Sequence, residues 1–350
     1  MTTSKPPSAA VTSLVIASRY LPVYAALILL VVVAAVWVPA ALSSVSFSAI
    51  APYGALLAIT ALGQMLVVMT GGIDLSTPGT FSLAAMIMVG VGARTDDNIG
   101  IAFVTALAAA AVVGLVNGIL IGGLKLNPLI VTLAVGQVTI GLVTRYGRSF
   151  PVSQPVPDAW IKLTSTRILG ISPVLWAGAI LTVFLIVVFR YTTLGRRFQA
   201  VGANPIAAGV AGLRVSVSQI SAYVGAAMLY AIAGLALAGL LRAPGVASGT
   251  NYLLAPIAAV VIGGASLTGG LASPLSTFAA AIFLTGLTQV MKTMGLPTSL
   301  QFVVFGLVII GGMLVSGDRI IKGVEQVFRE RRGSGSAKGT KPELLSEGSG

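Results

Sequence analysis

The chain has 350 residues, 56% of them hydrophobic and only 9% charged, with a formal net charge of +12. A soluble domain carries about a quarter charged residues, so this composition excludes one and indicates a polytopic membrane protein. With no Cys and no His, disulfides, thiolate chemistry and the commonest general base are excluded, and nine acids leave little material for an intramembrane active site.

Residues 1–20 are polar and small, carry Lys5 and Arg19, and are expected to form a cytoplasmic N-terminal segment. They lead into an apolar run over 21–42, longer than a signal-peptide core and read as an uncleaved first span. Further apolar runs fall at 47–70, 79–93, 99–122, 128–143, 171–189, 217–241, 252–268, 271–291 and 299–316. The chain therefore reads as an all-α bundle of about ten transmembrane helices occupying residues 21–317. The runs 79–93, 128–143 and 252–268 fall short of the ~20 residues a crossing needs, which predicts broken or re-entrant helices beside a cavity or under protein cover.

An even number of spans puts both termini on one side. Placing them in the cytoplasm gathers 14 of the 21 basic residues inside: Lys5, Arg19, Lys125, Arg190, Arg196, Arg197, Arg214 and seven in the tail. The outside loop 145–170 is a basic exception, with Arg145, Arg148, Lys162 and Arg167. The basic residues flank apolar runs and form no patch with stacking aromatics, so no nucleic-acid partner is expected. The cytoplasmic tail 318–350 is expected to begin with an interfacial helix over 318–332 and to be disordered from about 333, where Gly, Ser and charge dominate.

Four stretches stand out. Residues 70–82 read TGGIDLSTPGTFS, with Gly71 and Gly72 before Asp74 and Ser76, and a Pro78-Gly79 break after them. A helix broken here exposes backbone groups that can serve as ligands. Asp74 either caps or gates the next helix, or it contacts cargo. The pattern returns at Gly263, Gly264, Ser266 and Thr268, so two unwound elements are expected to face one another across a pathway, both on the inside. Asn117, inside the apolar stretch 112–132, needs a partner in lipid surroundings; an interhelical hydrogen bond of about 1 kcal/mol supplies one structural reading.

The fourth stretch is the basic island 190–215, RYTTLGRRFQAVGANPIAAGVAGLRV. It is either an ordinary inside loop or a contact surface. Asn204 and Pro205 start a helix as N-cap and first helical residue, expected over 205–213. Its small residues, Ala207, Ala208, Gly209, Ala211 and Gly212, allow a partner groove to approach the backbone closely. The phosphate-binding pattern G-x-x-x-x-G-K-[ST] is absent, so any ATP would be hydrolysed by another chain.

GGIDLS at 71–76, NG and then NPLIVTL within 117–133, GRRFQAVGANPIAAGVAGL at 195–213 and IAAVVIGGASLTGG at 257–270 occur in this order. Together they resemble the membrane permease of sugar-type ABC importers, the group of the ribose, xylose, galactose and galactofuranose systems, over about 47–317. The resemblance implies a multi-pass protein of the bacterial inner membrane, embedded in lipid and working as a dimer with a second copy or a paralogue. A periplasmic sugar-binding protein would deliver cargo, and a separate ABC ATPase subunit would hold ATP and Mg, leaving this chain without a cofactor or catalytic residues. By the same resemblance Gly202, Asn204, Pro205, Ala207, Ala208 and Gly212 map onto the coupling segment, where a bulky charge at Ala208 is expected to uncouple a folded permease.

Gly71, Gly72, Asp74, Ser76, Asn117, Gly263, Gly264 and Ser266 are the candidates for the translocation pathway or its gate. Arg145 and Arg148 are candidates for docking an acidic rim of the binding protein. The chain departs from the family where Gly209 replaces a frequent Arg, where residues 253–256 replace an acidic Glu-Leu-Asp, and where Thr77-Pro78-Gly79 follows GGIDLS. These departures suit one half of a heterodimer. Two other readings differ in cargo or energy source: a permease for nucleosides or branched-chain amino acids, or an ion-driven secondary transporter, against which the spans carry hardly any ionisable residue.

Overall fold

The computed structural model describes residues 9–93, 95–149 and 155–316. In chain order it contains α1 (Ala9–Trp37), α2 (Ser44–Met69), α3 (Thr77–Gly90), α4 (Ile99–Gly118), α5 (Pro128–Gly147), α6 (Asp158–Ser165), α7 (Pro173–Tyr191), α8 (Thr193–Ala203), α9 (Pro205–Val210), α10 (Val215–Leu241), α11 (Ala255–Ile262), α12 (Pro274–Thr293) and α13 (Thr298–Ser316). Short 3-10 turns and one π turn, Ile119–Gly123 at the end of α4, complete it; no strand occurs among the described residues. Seven helical stretches are long and apolar enough to cross a membrane, and Thr77–Gly90, Thr250–Ile262 and Ser299–Gly312 are shorter apolar helices. The expected tail 318–350, with its interfacial helix and disordered end, lies outside the described residues, as do residues 1–8 of the N-terminal segment.

Local signals delimit these helices. Asn127-Pro128, Ser172-Pro173, Asn204-Pro205 and Ser273-Pro274 each open one: the side-chain oxygen accepts a backbone N–H of the first turn, and the proline occupies a position whose N–H has no intrahelical acceptor. The stops are equally repetitive. At the end of α2, Gly72 N donates to Val67 O and Gly71 N to Val68 O, with Gly71 at φ 84°. This paired closure recurs at Gly212 after α9 and at Gly264 after α11, where positive φ costs glycine little.

α2 and α10 form the centre. α2 is buried continuously from Gly54 to Met69, and α10 contributes Tyr223, Tyr230 and Leu235 to the interior. Small residues permit close packing around α10: a Cβ on Gly63 of α2 would lie 2.9 Å from Ala226 O, one on Gly114 of α4 2.6 Å from Tyr223 O, and one on Gly234 would overlap Phe81 O of α3. Around them α1, α4, α5 and α7 expose Ile28, Val104, Ile130 and Phe184, an apolar exterior suited to lipid.

Contacts sort the turns into two ends. At one end Arg19 Nε donates to Gly264 O (2.7 Å), Gly270 N to Met69 O (3.0 Å) and Lys125 Nζ to Gln219 Oε1 (3.1 Å). α8 packs there too, with the Phe198 ring 6.1 Å from that of Phe189. At the other end Ala159 N donates to Asp96 Oδ1 (2.9 Å) and Val156 N to Arg242 O (2.8 Å).

Three stretches differ from the sequence expectation. The run 128–143, expected to be short or broken, continues to Gly147 as the 20-residue α5, whereas 252–268 is broken as expected: it is helical only to Ile262, where Gly263-Gly264 closes the helix and residues 263–273 run on as irregular backbone. The basic loop 145–170 contains α6, whose Trp160 is buried and donates from Nε1 to Leu235 O (2.9 Å). The island 190–215 holds an additional helix, α8, which buries Phe198 and Val201 while exposing Arg196 and Arg197.

Candidate functional site

The break between α2 and α3 is the most polar point of the interior. Asp74 is fully buried, and its Oδ1 accepts from Ser76 N (2.8 Å) and Ser76 Oγ (2.6 Å). Asn117 Nδ2 of α4 donates to Ser76 Oγ (2.9 Å), so three residues predicted from two separate stretches meet in one network. The backbone here is held from both flanks. With its amide oriented to satisfy both ends, Gln64 accepts from Asp74 N (3.1 Å) and donates to Asp74 O (3.1 Å) and Tyr230 OH (3.0 Å). On the other flank Thr132 Oγ1 of α5 accepts from Leu75 N (3.0 Å). Gly72 sits where any side chain would overlap the Tyr223 hydroxyl.

This arrangement is a brace. It replaces helical hydrogen bonds lost at the break by side-chain bonds from Gln64 of α2, Thr132 of α5 and Asp74 itself, as buried backbone groups require, while Asn117 of α4 holds the Ser76 hydroxyl. Asp74 Oδ2, Asn117 Oδ1 and the Tyr223 hydroxyl are buried without a hydrogen-bond partner among the described residues. Gln64, Thr132, Tyr223 and Tyr230 were missed by sequence reasoning. A lone Gln in the middle of the 26-residue apolar helix α2 was the available signal.

The second glycine motif lies beside the first. Gly264 contacts Arg19, Ser266 Oγ pairs with Thr268 Oγ1 (2.8 Å), and a Cβ on Gly71 would stand 3.7 Å from Thr268 O. In the structural equivalence Gly71 corresponds to Gly264, the two positive-φ residues, so the motifs align one residue away from the match read in sequence. Both glycine pairs close helices. Gly263 contacts α12, where a Cβ would lie 3.0 Å from Ser276 O.

The residues expected to form the coupling segment join this junction. A Cβ on Gly202 would overlap Met69 O and lie 2.5 Å from Gly270 N, so α8 ends against both glycine motifs at once. From there Asn204 Oδ1 caps α9 by accepting from Ala207 N (2.9 Å), with Pro205 first in the helix and Gly212 (φ 81°) ending it. α9 is shorter than the 205–213 predicted. Ala208 faces inward at 5% exposure, whereas Ile206 and Val210 stand out at 81% and 88%. The outward face is therefore apolar and one turn long, and Ala208 belongs to its support. Gly209 is exposed. Arg145 and Arg148 lie at the opposite end, both exposed, beside a cleft of about 410 Å³ that Tyr146 and Ser149 also line.

Among the described residues no cluster of His, Cys, Asp or Glu could hold a metal ion. Similar proteins come from several bacteria. A protein of Sinorhizobium fredii described as "probable ABC transporter permease protein" is 33% identical over 304 residues, covering 86% of this chain and 90% of its own length. The autoinducer 2 import system permease of an Enterobacter species is 31% identical, with 80% and 81% covered. The ribose import permease of Escherichia coli is 29% identical, with 75% and 82% covered. No solved structure matches the chain. Residues 46–313 match the family described as branched-chain amino acid transport system / permease component, and the chain belongs to this family of transport permeases.

Proposed function

We propose that the chain is the transmembrane subunit of an ABC importer that moves a sugar, handed over by a periplasmic binding protein, into a bacterial cytoplasm. The observation that carries this reading is similarity along most of the chain to permeases of import systems, one of them for ribose. The three shorter apolar helices complete ten crossings in this reading, which leaves both termini in the cytoplasm and the protein in the inner membrane. Gathering of Arg19, Lys125, Arg190, Arg196, Arg197 and Arg214 at the α8–α9 end supports that side as cytoplasmic. The exposed Ile206 and Val210 face then meets a partner ATPase, which holds ATP and Mg, and Gly202 passes its displacement to the glycine motifs that gate the path. A second permease copy or paralogue completes the path.

The family description favours a second cargo, branched-chain amino acids. One reconstitution separates the two. The permease, with its cognate ATPase and binding protein, is placed in proteoliposomes and tested for ATP-driven uptake of ribose, arabinose, galactose and leucine. Sugar uptake that persists after ion gradients collapse and stops without ATP supports the reading; leucine uptake alone, or uptake that follows an ion gradient, overturns it.

A further inference from the structure

A cleft of about 460 Å³ opens between α2, α11, α12 and α13. Thr285, Thr288, Gln289 and Lys292 of α12 all line it, at the three- and four-residue spacing of a single helix face. Polar side chains on a helix set in lipid belong where they meet water or a partner. Opposite them stand Tyr53 of α2 and Asn251, which precedes α11. Thr285 Oγ1 and Thr288 Oγ1 donate back to Ala281 O (2.8 Å) and Leu284 O (2.9 Å), leaving both oxygens able to accept. The Asn251 and Gln289 side-chain amides make no hydrogen bond among the described residues.

Position and chemistry both bear on what enters. Tyr53 lies 16 residues before Met69, about 24 Å along the helix, so the cleft sits at the end away from α9. Its lining contains no acid, so an ammonium group finds no counter-charge there. Hydroxyl groups find amides, hydroxyl acceptors and the rings of Tyr53, Tyr252 and Phe305.

We propose that this cleft is the outer entrance of the cargo path and that Asn251, Thr285 and Gln289 bind a neutral polyhydroxylated molecule in it. The inference rests on the sugar-permease reading above. Because the chain has no Cys, Gln289→Cys and the lipid-facing Val104→Cys each introduce a unique thiol. In right-side-out vesicles holding the assembled complex, a membrane-impermeant maleimide should modify Gln289→Cys at least tenfold faster than Val104→Cys. In proteoliposomes Gln289→Leu and Thr285→Val should each lower sugar uptake at least tenfold at equal yield of assembled complex. Labelling no faster than at Val104→Cys, or uptake within twofold of wild type for both variants, overturns the inference. Wild-type uptake of leucine and none of the sugars defeats the sugar reading, and the polyol assignment with it; wild-type sugar uptake with unaffected variants defeats the entrance alone.

Discussion

Gly202 of α8 stands so close to the carbonyl oxygen of Met69 that even a methyl group on it would overlap that atom. Gly270 N donates to the same oxygen (3.0 Å), so the end of α2, the second glycine motif and the end of α8 share one point. Gly202→Ala should therefore separate the three. Overpacking of this kind costs about 1–3 kcal/mol, and we expect a lower melting temperature in detergent together with loss of ATP-driven uptake. Gly209→Ala is the comparison: a Cβ there meets only Val215 Cγ2 at 4.0 Å, and the variant should melt like wild type.

Asp74 should tolerate amidation better than truncation. Asp74→Asn retains an oxygen for the amide and hydroxyl of Ser76, whereas Asp74→Ala removes both hydrogen bonds and leaves buried donors unpaired, at about 1–3 kcal/mol. Thermal unfolding of the purified permease should rank wild type, Asn and Ala in that order. Equal melting of the two variants would show that the Ser76 bonds do not hold the break.

Ile206 and Val210 are expected to act outside the fold. Ile206→Ser with Val210→Ser removes exposed apolar area without touching a packed neighbour, so the melting temperature should stay within a degree or two. Stimulation of the partner ATPase by the permease should fall at least tenfold. A charge at Ala208 acts differently, because that side chain is buried: Ala208→Glu should lower the melting temperature as well as coupling.

Reversal of Arg145 and Arg148 to Glu should slow association of the binding protein about tenfold at low salt, with the difference shrinking as ionic strength rises, since the charges are exposed and screened. Surface plasmon resonance at two salt concentrations measures this. An unchanged association rate at low salt would remove these residues from the docking surface.

Much of this architecture was legible locally. Asn127-Pro128 and Asn204-Pro205 announce helix starts, and Gly71 and Gly264 announce breaks, because cap chemistry is decided within a few residues; Gly212 ends α9 by the same chemistry, although the expected helix 205–213 ran past it. Asp74, Ser76 and Asn117 were each singled out, yet their meeting depends on how α4 packs beside the α2–α3 break, which no local pattern encodes. α8 was hidden for another reason. Its polar face, with Arg196 and Arg197, makes it read as a loop in a hydropathy scan, although Phe198 and Val201 give it a buried side. α6 was concealed in the same way, and its short helix is held by tertiary contacts, Trp160 with α10 and Ala159 with Asp96, that no local pattern encodes.

α10 has a further consequence. It is one uninterrupted helix of 27 residues, about 40 Å long, beginning just after α9 and gripped near its far end by Trp160 of α6. A rod attached at both faces of a membrane cannot move at one face alone. A displacement beside α6 and one beside α9 are thus movements of the same lever; in the proposed importer, a binding protein docked at the α6 end would bear on the ATPase at the α9 end through α10 itself.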